Sequence, residues 1–117
     1  MITVLRRWFV PAEKLDEFRD KWRREIMPDI IRQPGCVRVE MYESSIRDHW
    51  VTAVTWQDEE SRFKALEPLS KYQRAFAEYE RFEPEILHLR SRAGSDLERS
   101  LARPVELPKI KTSTVST

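Results

Sequence analysis

Hydrophobic residues recur with two different periods along the first ninety residues, and the alternation of these periods predicts the order of the secondary structure. The first segment, Ile2 to Val10, is rich in β-branched and aromatic residues and stops at Pro11, which predicts a β-strand. The next segment predicts an amphipathic helix because its apolar residues lie three and four positions apart, at Leu15, Phe18, Trp22, Ile26 and Ile30. Pro34 and Gly35 then turn the chain.

Two further strands, a second helical region and a last strand complete the pattern. Apolar and polar side chains alternate from Cys36 to Glu43, and a polar link separates this segment from the apolar run Trp50 to Trp56, which predicts a hairpin. Asp58 is suited to cap a helical region that Pro68 is expected to break into two pieces. Helical spacing in this region is kept by Phe63, Leu66, Leu69, Tyr72, Phe76 and Tyr79. Glu85 to Arg90 is predicted to form a short final strand.

The resulting order, βαββαβ, predicts an α+β protomer with a ferredoxin-like fold. The right-handed crossover rule places strands one and three in the middle of a four-stranded antiparallel sheet. Both helices then cover the same face of this sheet. The other face is left bare.

The aromatic residues place the packed domain in the first part of the chain. All twelve lie between Trp8 and Phe82, which predicts a domain over residues 1–91 and a tail over residues 92–117. The tail begins with a capping box at Ser95 to Glu98 that predicts a short helix through Arg103, followed by an extended segment. We expect the tail to pack on the body or on a partner chain, with disorder of the last residues as the alternative.

Period-two alternation divides each strand between the two faces of the sheet. The aliphatic sets are expected to meet the helices. The bare face is then expected to carry Val4, Arg6 and Trp8; Arg38, Glu40 and Tyr42; Trp50, Thr52, Val54 and Trp56; and Ile86, His88 and Arg90. Arg7, beside Phe9, does not fit this assignment.

Three tryptophans on a bare face predict that a second copy of the chain covers it. Together they would give an apolar patch at or above the roughly 300 to 600 Å² that is usual for a monomer. Two such sheets closing face to face would form a barrel between protomers, with aromatic walls around a small-molecule pocket. The expected partners are therefore a second copy, as a homodimer, and a small aromatic molecule.

Charge and composition exclude several classes of function. The 117 residues include 21 basic and 20 acidic side chains, a formal charge of +1, which disfavours nucleic-acid and anionic-membrane binding. A single cysteine and two histidines exclude an intrachain disulfide and a cysteine-rich zinc site, so no metal is expected. Two glycines cannot form a nucleotide-binding loop, so no nucleotide cofactor is expected. Without an apolar span or a signal peptide, a cytoplasmic protein is expected.

Four segments resemble the antibiotic biosynthesis monooxygenase family over about residues 1–91. They are Phe9-Val10-Pro11 at the end of strand one, the helix from Lys14 to Ile31, the turn and strand Pro34-Gly35-Cys36-Val37-Arg38-Val39-Glu40, and Thr55-Trp56-Gln57-Asp58-Glu59-Glu60 leading into helix two. The resemblance implies a dimeric α/β barrel. For characterised members it implies cofactor-independent oxygenation of phenolic polycyclic substrates, or haem degradation in another branch, and some members have no demonstrated activity.

Single positions within the resemblance favour one branch over the other. Trp56 matches the family's strand-three tryptophan, and Thr52 stands where some quinone-forming members have asparagine. Ala65 and Ala75 fall where the haem-degrading branch would supply tryptophan and the iron-ligating histidine, and Arg6 replaces its strand-one asparagine. Haem degradation is therefore disfavoured.

Charged residues on the expected bare face are candidates for catalysis. Arg6 and Arg38 are suited to hold an enolate or a phenolate, and the alternative for them is a salt bridge to Glu40. Glu40, if desolvated near Trp56, is the first candidate for a catalytic base. His88 is the second candidate, as a base or proton shuttle, with a hydrogen-bonded packing role as the alternative.

Aromatic residues and one hydroxyl are the remaining candidates for substrate binding. Trp8, Trp56 and Tyr42 are placed to sandwich a flat aromatic ligand, or else they form the barrel core. Thr52 is assigned to the same substrate-binding set. The leading hypothesis is a cofactor-independent monooxygenase acting on a small planar aromatic or quinone-type substrate.

Two alternatives stay open. One is a non-catalytic small-molecule-binding or stress-response barrel. The other is an RNA-recognition module, which shares the strand order and stacks bases on sheet aromatics. Trp50 to Trp56 lacks the basic-glycine-aromatic start of the RNA-binding signature, which disfavours this second alternative.

Overall fold

A four-stranded antiparallel sheet forms one layer of the computed structural model, which describes residues 1–95. Its strands are β1 (Ile2–Phe9), β2 (Cys36–Glu43), β3 (His49–Trp56) and β4 (Glu85–His88), in the order β2-β3-β1-β4. The predicted ferredoxin-like fold, with strands one and three at the centre, is confirmed. The tail helix predicted through Arg103 lies outside the described residues.

The first helical segment contains a wide turn that keeps its apolar residues in line. It comprises a 3-10 turn (Ala12–Lys14), α1 (Leu15–Lys21), a π turn (Trp22–Ile26) and α2 (Met27–Ile31). In the π turn the Met27 N–H donates to the carbonyl of Trp22, five residues back. Apolar residues four apart drift by about 40° per step on a helix of 3.6 residues per turn, and a π turn offsets this drift. Trp22, Ile26 and Ile30 are therefore all buried.

The second helix, α3 (Glu59–Ala75), begins at the predicted cap and continues through its proline. The carboxylate of Asp58 accepts a hydrogen bond of 2.8 Å from the Ser61 N–H, which confirms the cap. The prediction that Pro68 divides the helix is wrong. Pro68 and Lys64 are both exposed, so water can bond the Lys64 carbonyl that the proline leaves without an N–H donor.

The turn before β2 requires a glycine for two reasons. Gly35 has a φ of +87°, a conformation that side chains with a Cβ rarely adopt. A Cβ at this position would lie 2.1 Å from Oγ of Ser61. The Gly35 carbonyl accepts a hydrogen bond of 2.8 Å from the Gln57 N–H. This turn therefore packs directly against the start of α3.

The tryptophans of β1 and β3 face the helices, so the prediction that they lie on the bare face is wrong. Trp8 and Trp56 are each 4% exposed and pack in the core with Phe18 and Trp22 of the first helical segment. Alternation alone separates two sets of side chains without showing which set is buried. Large indole rings pack best against other large side chains, and the aromatic residues of the helices provide these on the helical face.

The register fixes the faces of the other residues. Arg6 and Thr52 are direct cross-strand partners, and His88 pairs with Ile2, so all of them lie on the helical face with Trp8. Arg38, Glu40 and Tyr42 pair with Thr55, Ala53 and Val51 and stay on the opposite face, as predicted. Arg7 also lies there, where it pairs with Glu85 at 3.4 Å, which removes the misfit in the sequence assignment.

The opposite side of the sheet, here called the open face, is covered by no helix within residues 1–95. It carries Leu5, Arg7, Phe9, Arg38, Glu40, Tyr42, Val51 and Leu87. Trp8 and Trp56 are covered by helices and are not available to stack RNA bases, which argues against the RNA-binding alternative. No helix among the described residues is long and apolar enough to cross a membrane.

Candidate functional site

A cavity of about 120 Å³ lies between the helical layer and the sheet. Its floor consists of Val4, Arg6, Trp8, Thr52, Val54 and Trp56. One wall is formed by Trp22, Ile26 and Ile30, and the other by α3 and the residue after it, with Ala65, Leu69, Tyr72 and Phe76. An engineered apolar cavity of about 150 Å³ binds benzene, so this cavity has the size of one aromatic ring.

One end of the cavity is closed by aromatic rings, while exposed side chains line the α3 side. Phe18 and Phe76 stack with their ring centroids 4.8 Å apart, and Trp8 meets Phe76 edge to face at 5.5 Å. Leu66 and Gln73 line the cavity and are exposed, so the cavity reaches solvent beside α3. A ligand therefore has an aromatic inner wall and an entrance on the helical side.

A buried hydrogen bond orients the hydroxyl on the floor. Trp8 Nε1 donates to Thr52 Oγ1 at 3.0 Å, and Thr52 is only 1% exposed. Because the Thr52 oxygen accepts the indole proton, its own O–H is free to donate, and no residue within 1–95 accepts it. Thr52 therefore offers a donor to a ligand in the cavity.

Arg6 lies beside this hydroxyl and supplies positive charge. Its Nη1 donates to Glu80 Oε2 at 2.9 Å, and both side chains are largely buried. A guanidinium has five N–H donors, and the remaining donors of Arg6 have no protein partner in the described part of the chain. Since Arg6 and Thr52 are cross-strand partners, their side chains lie next to each other on the floor.

The sequence analysis missed the second arginine of the cavity. Arg62 lines it from the first turns of α3, where its Nε donates to Glu59 at 2.8 Å. No carboxylate or imidazole is among the residues that line the cavity, and no cluster of three metal-ligating side chains occurs within residues 1–95. The cavity therefore favours an anionic oxygen over a cation.

Tyr72 was expected only as part of an apolar row, but it carries a strong polar interaction. Its hydroxyl donates to Asp29 Oδ2 at 2.5 Å, from α3 to α2. This hydrogen bond raises the pKa of Tyr72 to about 12 and lowers the pKa of the Asp29 carboxyl. The two residues are 43 positions apart and lie on different helices, so periodicity within one helix gave no signal for this pair.

Half of the predicted site residues meet in the cavity, namely Arg6, Trp8, Thr52 and Trp56. The others do not line it. Arg38 pairs with Glu40 at 3.3 Å on the open face, whereas Arg6 pairs with Glu80 rather than with Glu40. Tyr42 lies beside this pair, and its hydrogen bond to Glu40 raises the pKa of the tyrosine.

His88 lies apart from the cavity as well. It is exposed at the end of β4, opposite Ile2, and it is not among the lining residues. The predicted catalytic residues are thus separated from Trp8 and Trp56. The sheet lies between these tryptophans and Glu40, and His88 lies away from them at the end of the edge strand β4.

The fold and the cavity define a ferredoxin-like α+β protein that holds its ligand-sized pocket between sheet and helices. The family model described as antibiotic biosynthesis monooxygenase matches residues 1–78, which is more than half of the chain. The chain therefore belongs to the antibiotic biosynthesis monooxygenase family. No curated protein matches the chain in sequence.

Solved structures share this fold at low sequence identity. A mutant of SnoaB, a cofactor-independent oxygenase from Streptomyces nogalater, is 22% identical with a TM-score of 0.68, over 78% of this chain and 94% of that chain. A conserved protein from Methanosarcina mazei is 20% identical with a TM-score of 0.62, over 74% and 87%. A further antibiotic biosynthesis monooxygenase is 16% identical with a TM-score of 0.63, over 80% and 100%. These similarities establish the fold.

Proposed function

We propose that this protein is a cofactor-independent monooxygenase that oxidises a small planar phenol to a quinone. The observation that carries the proposal is the pair of donors, Arg6 and Thr52, on the floor of an aromatic cavity the size of one ring. Such donors stabilise a phenolate in a site that excludes most water. Membership of the family, and a structural neighbour described as a cofactor-independent oxygenase, support the same class of reaction.

Binding would place the ring between the aromatic residues and its oxygen at the floor. Trp8 and Trp56 are both buried and line the cavity, so their rings can contact a flat ligand by stacking or by edge-to-face packing. The phenolic oxygen would accept hydrogen bonds from Arg6 and from the Thr52 hydroxyl. Because Trp8 already donates to Thr52, this geometry is in place before the ligand arrives.

The reaction balances with dioxygen alone. The bound phenol loses its O–H proton, and the phenolate donates electrons to O₂. A new C–O bond forms at the ring carbon opposite the phenolate oxygen, and the O–O bond then breaks. One oxygen atom remains on the ring as the second quinone oxygen. The other leaves as water with the former phenolic proton and the former ring hydrogen, so one phenol and one O₂ give one quinone and one water.

Removal of the phenolic proton is assigned to water at the entrance. The lining residues include no carboxylate and no imidazole, and Glu80 is held as the counter-ion of Arg6. Arg6 assists by lowering the pKa of the bound phenol, as a cation does for a neighbouring acid. Glu40 and His88, which lie outside the cavity, have no step in this scheme.

The test is oxidation of a substrate panel by the purified protein under air. Phenols and anthrones are incubated with the protein, and O₂ uptake is followed together with quinone absorbance. We expect acceleration over buffer for at least one phenol, with one O₂ consumed per quinone formed. The Arg6→Gln variant is expected to lose this acceleration, whereas Arg38→Gln, on the open face, is expected to keep it. No acceleration by the wild-type protein across the panel would contradict the proposed reaction.

The absence of a base among the lining residues favours one alternative, a binding protein without turnover. Such a protein would sequester a flat aromatic metabolite in the same cavity. Quenching of tryptophan fluorescence by a phenol, without O₂ uptake, would support the alternative over the oxygenase.

We further propose that a second copy of the chain covers the open face. Leu5, Phe9 and Val51 are half-buried there, and Tyr42 and Leu87 are exposed, so the face is apolar at its centre. Arg38 and Glu40 lie side by side on β2. In a dimer with a twofold axis, the guanidinium of each copy can therefore face the carboxylate of the other. In this dimer the ligand cavity belongs to each protomer rather than to the space between them.

A further inference from the structure

One carboxylate joins the two helical walls of the cavity. Asp29 Oδ2, on α2, accepts a hydrogen bond of 2.5 Å from the Tyr72 hydroxyl and lies 3.4 Å from Nζ of Lys71, both on α3. The Tyr72 hydroxyl is also 3.4 Å from the carbonyl oxygen of Glu25. Within the described residues, no other side-chain hydrogen bond or ion pair links α3 to the segment Leu15–Ile31.

This connection lies on the solvent side of the cavity. Glu25 is exposed and the Asp29 side chain is 21% exposed, whereas Ile26 and Ile30 on the same segment are buried and line the cavity. Tyr72 contributes to the opposite wall. The hydrogen bond from Tyr72 to Asp29 therefore crosses the gap between the walls above the buried side chains.

The volume of the cavity makes this connection important for ligand size. At about 120 Å³ the enclosed part of the cavity has room for one ring. The floor is a hydrogen-bonded sheet, and the inner end is held by the stacked rings of Phe18 and Phe76, so neither yields readily. A second fused ring is enclosed between the walls only when α3 moves away from α2, and the interactions of Asp29 oppose that movement. Without this movement, the second ring stays in the opening beside Leu66 and Gln73.

We propose that the hydrogen bond between Tyr72 and Asp29 sets the size limit of the enclosed part of the cavity and makes it prefer single-ring phenols. The inference rests on the proposed function, since it takes the cavity as the site that binds the aromatic ring. The family resemblance implies polycyclic phenols as substrates, whereas this inference predicts a preference for phenols with a single ring. Tyr72 and Asp29 act here as specificity-determining residues that control how far the walls separate.

The experiment compares ligands of one and two rings on the wild-type protein and on variants of this pair. Phenol and 2-naphthol are titrated separately, and dissociation constants are obtained from quenching of tryptophan fluorescence and from calorimetry. Tyr72→Phe removes the hydroxyl and keeps the ring on the wall. Asp29→Ala breaks the same connection from the other helix. Arg32→Gln is the matched control, because Arg32 pairs with Asp29 from its own segment and does not reach α3.

The wild-type protein and Arg32→Gln are expected to bind phenol at least about tenfold more tightly than 2-naphthol. In Tyr72→Phe and Asp29→Ala, the affinity for 2-naphthol is expected to rise about tenfold. In Asp29→Ala, where the substituted residue does not line the cavity, the affinity for phenol is expected to change less than about threefold. Phenol binding with an unchanged ranking of the two ligands in both variants would overturn the inference and leave the proposed function standing. Failure of the wild-type protein to bind either ligand would overturn both.

Discussion

The indole Nε1 of Trp8 donates a 3.0 Å hydrogen bond to the hydroxyl oxygen of Thr52, and both residues are almost completely buried. An aromatic side chain thus orients the hydroxyl on the cavity floor. Trp8→Phe removes the donor and retains an aromatic ring. We expect the free energy of unfolding to fall by about 1 to 3 kcal/mol, because a buried hydrogen bond is lost and ring volume is reduced. Urea denaturation measures this change, and an unaltered midpoint would contradict the role given to this bond.

Arg6 is expected to lower the pKa of a phenol bound in the cavity. With 4-nitrophenol as a coloured ligand, the absorbance of the bound phenolate is followed as a function of pH. A fixed cation beside the oxygen should lower the apparent pKa by roughly one unit or more in the wild-type protein and not in Arg6→Gln. Arg38→Gln serves as the control on the open face. Equal pKa values for the ligand on wild type and Arg6→Gln would show that Arg6 does not contact the phenolate.

Gly35 is expected to tolerate no side chain. Gly35→Ala should destabilise the fold by about 1 to 3 kcal/mol, since the residue has a positive φ and the new Cβ would meet Oγ of Ser61. The second substitution Ser61→Gly removes the clash and leaves the backbone strain. A double-mutant cycle, measured by denaturant unfolding, should therefore show that Ser61→Gly costs less in the Gly35→Ala background than in wild type. Additive changes would exclude the contact as a cause.

Stability should depend on pH through the pair of Asp29 and Tyr72. The folded-state pKa of Asp29 is lowered, so the ionised carboxylate stabilises the fold at pH values above its unfolded-state pKa of about 4. This stabilisation is lost as the pH falls through the folded-state pKa. The pKa of Tyr72 is raised to about 12, so the protonated hydroxyl stabilises the fold at pH values below its unfolded-state pKa of about 10. This stabilisation is lost as the pH rises toward 12. The charged groups facing Asp29 are Arg32 and Lys71.

Comparison with Tyr72→Phe isolates this contribution. The difference in free energy of unfolding between wild type and variant should be greatest between about pH 5 and 9 and should shrink toward both extremes. Thermal unfolding at a series of pH values provides the measurement. A difference that stays constant from acid to alkaline pH would be incompatible with a hydrogen bond to an ionised carboxylate.

The open face should mediate self-association. Sedimentation equilibrium is expected to give twice the chain mass of 14.0 kDa for the wild-type protein. Tyr42→Asp places a charge on the open face and is expected to shift the protein toward the monomer. Phe63→Asp, at an exposed position on α3, is the control and should leave the mass unchanged. A wild-type protein that sediments as a monomer at micromolar concentration would refute the proposed dimer.

The order of elements was predictable because each periodic segment is long and is bounded by proline, glycine or a polar link. The orientation of β1 was not, because Val4 and Trp8 on one side and Leu5 and Phe9 on the other are both apolar. Each set also contains one arginine, Arg6 in the first and Arg7 in the second, so charge did not distinguish the two faces either.

Contacts between distant elements lay beyond the sequence patterns. Trp8, Thr52 and Trp56 were named as binding residues from their side-chain chemistry, and they line the same cavity although they were assigned to the wrong face. Glu80 and Asp29 were not singled out, because each acts through a partner far away in sequence, Arg6 and Tyr72 respectively. Their roles depend on how elements pack, which periodicity within a single element does not encode.

The π turn has a consequence for how the cavity could change its ligand. One extra residue in a turn rotates everything after it by about 100° relative to a regular α-helix. Met27 follows the wide turn, and Pro28, which lacks an N–H, Asp29 and Ile30 come next. Deleting one residue from Trp22–Ile26 would therefore rotate the Asp29 carboxylate away from α3 and, at the same time, rotate Ile30 out of the cavity. A single-codon deletion at this position would thus alter ligand size and wall shape in one evolutionary step.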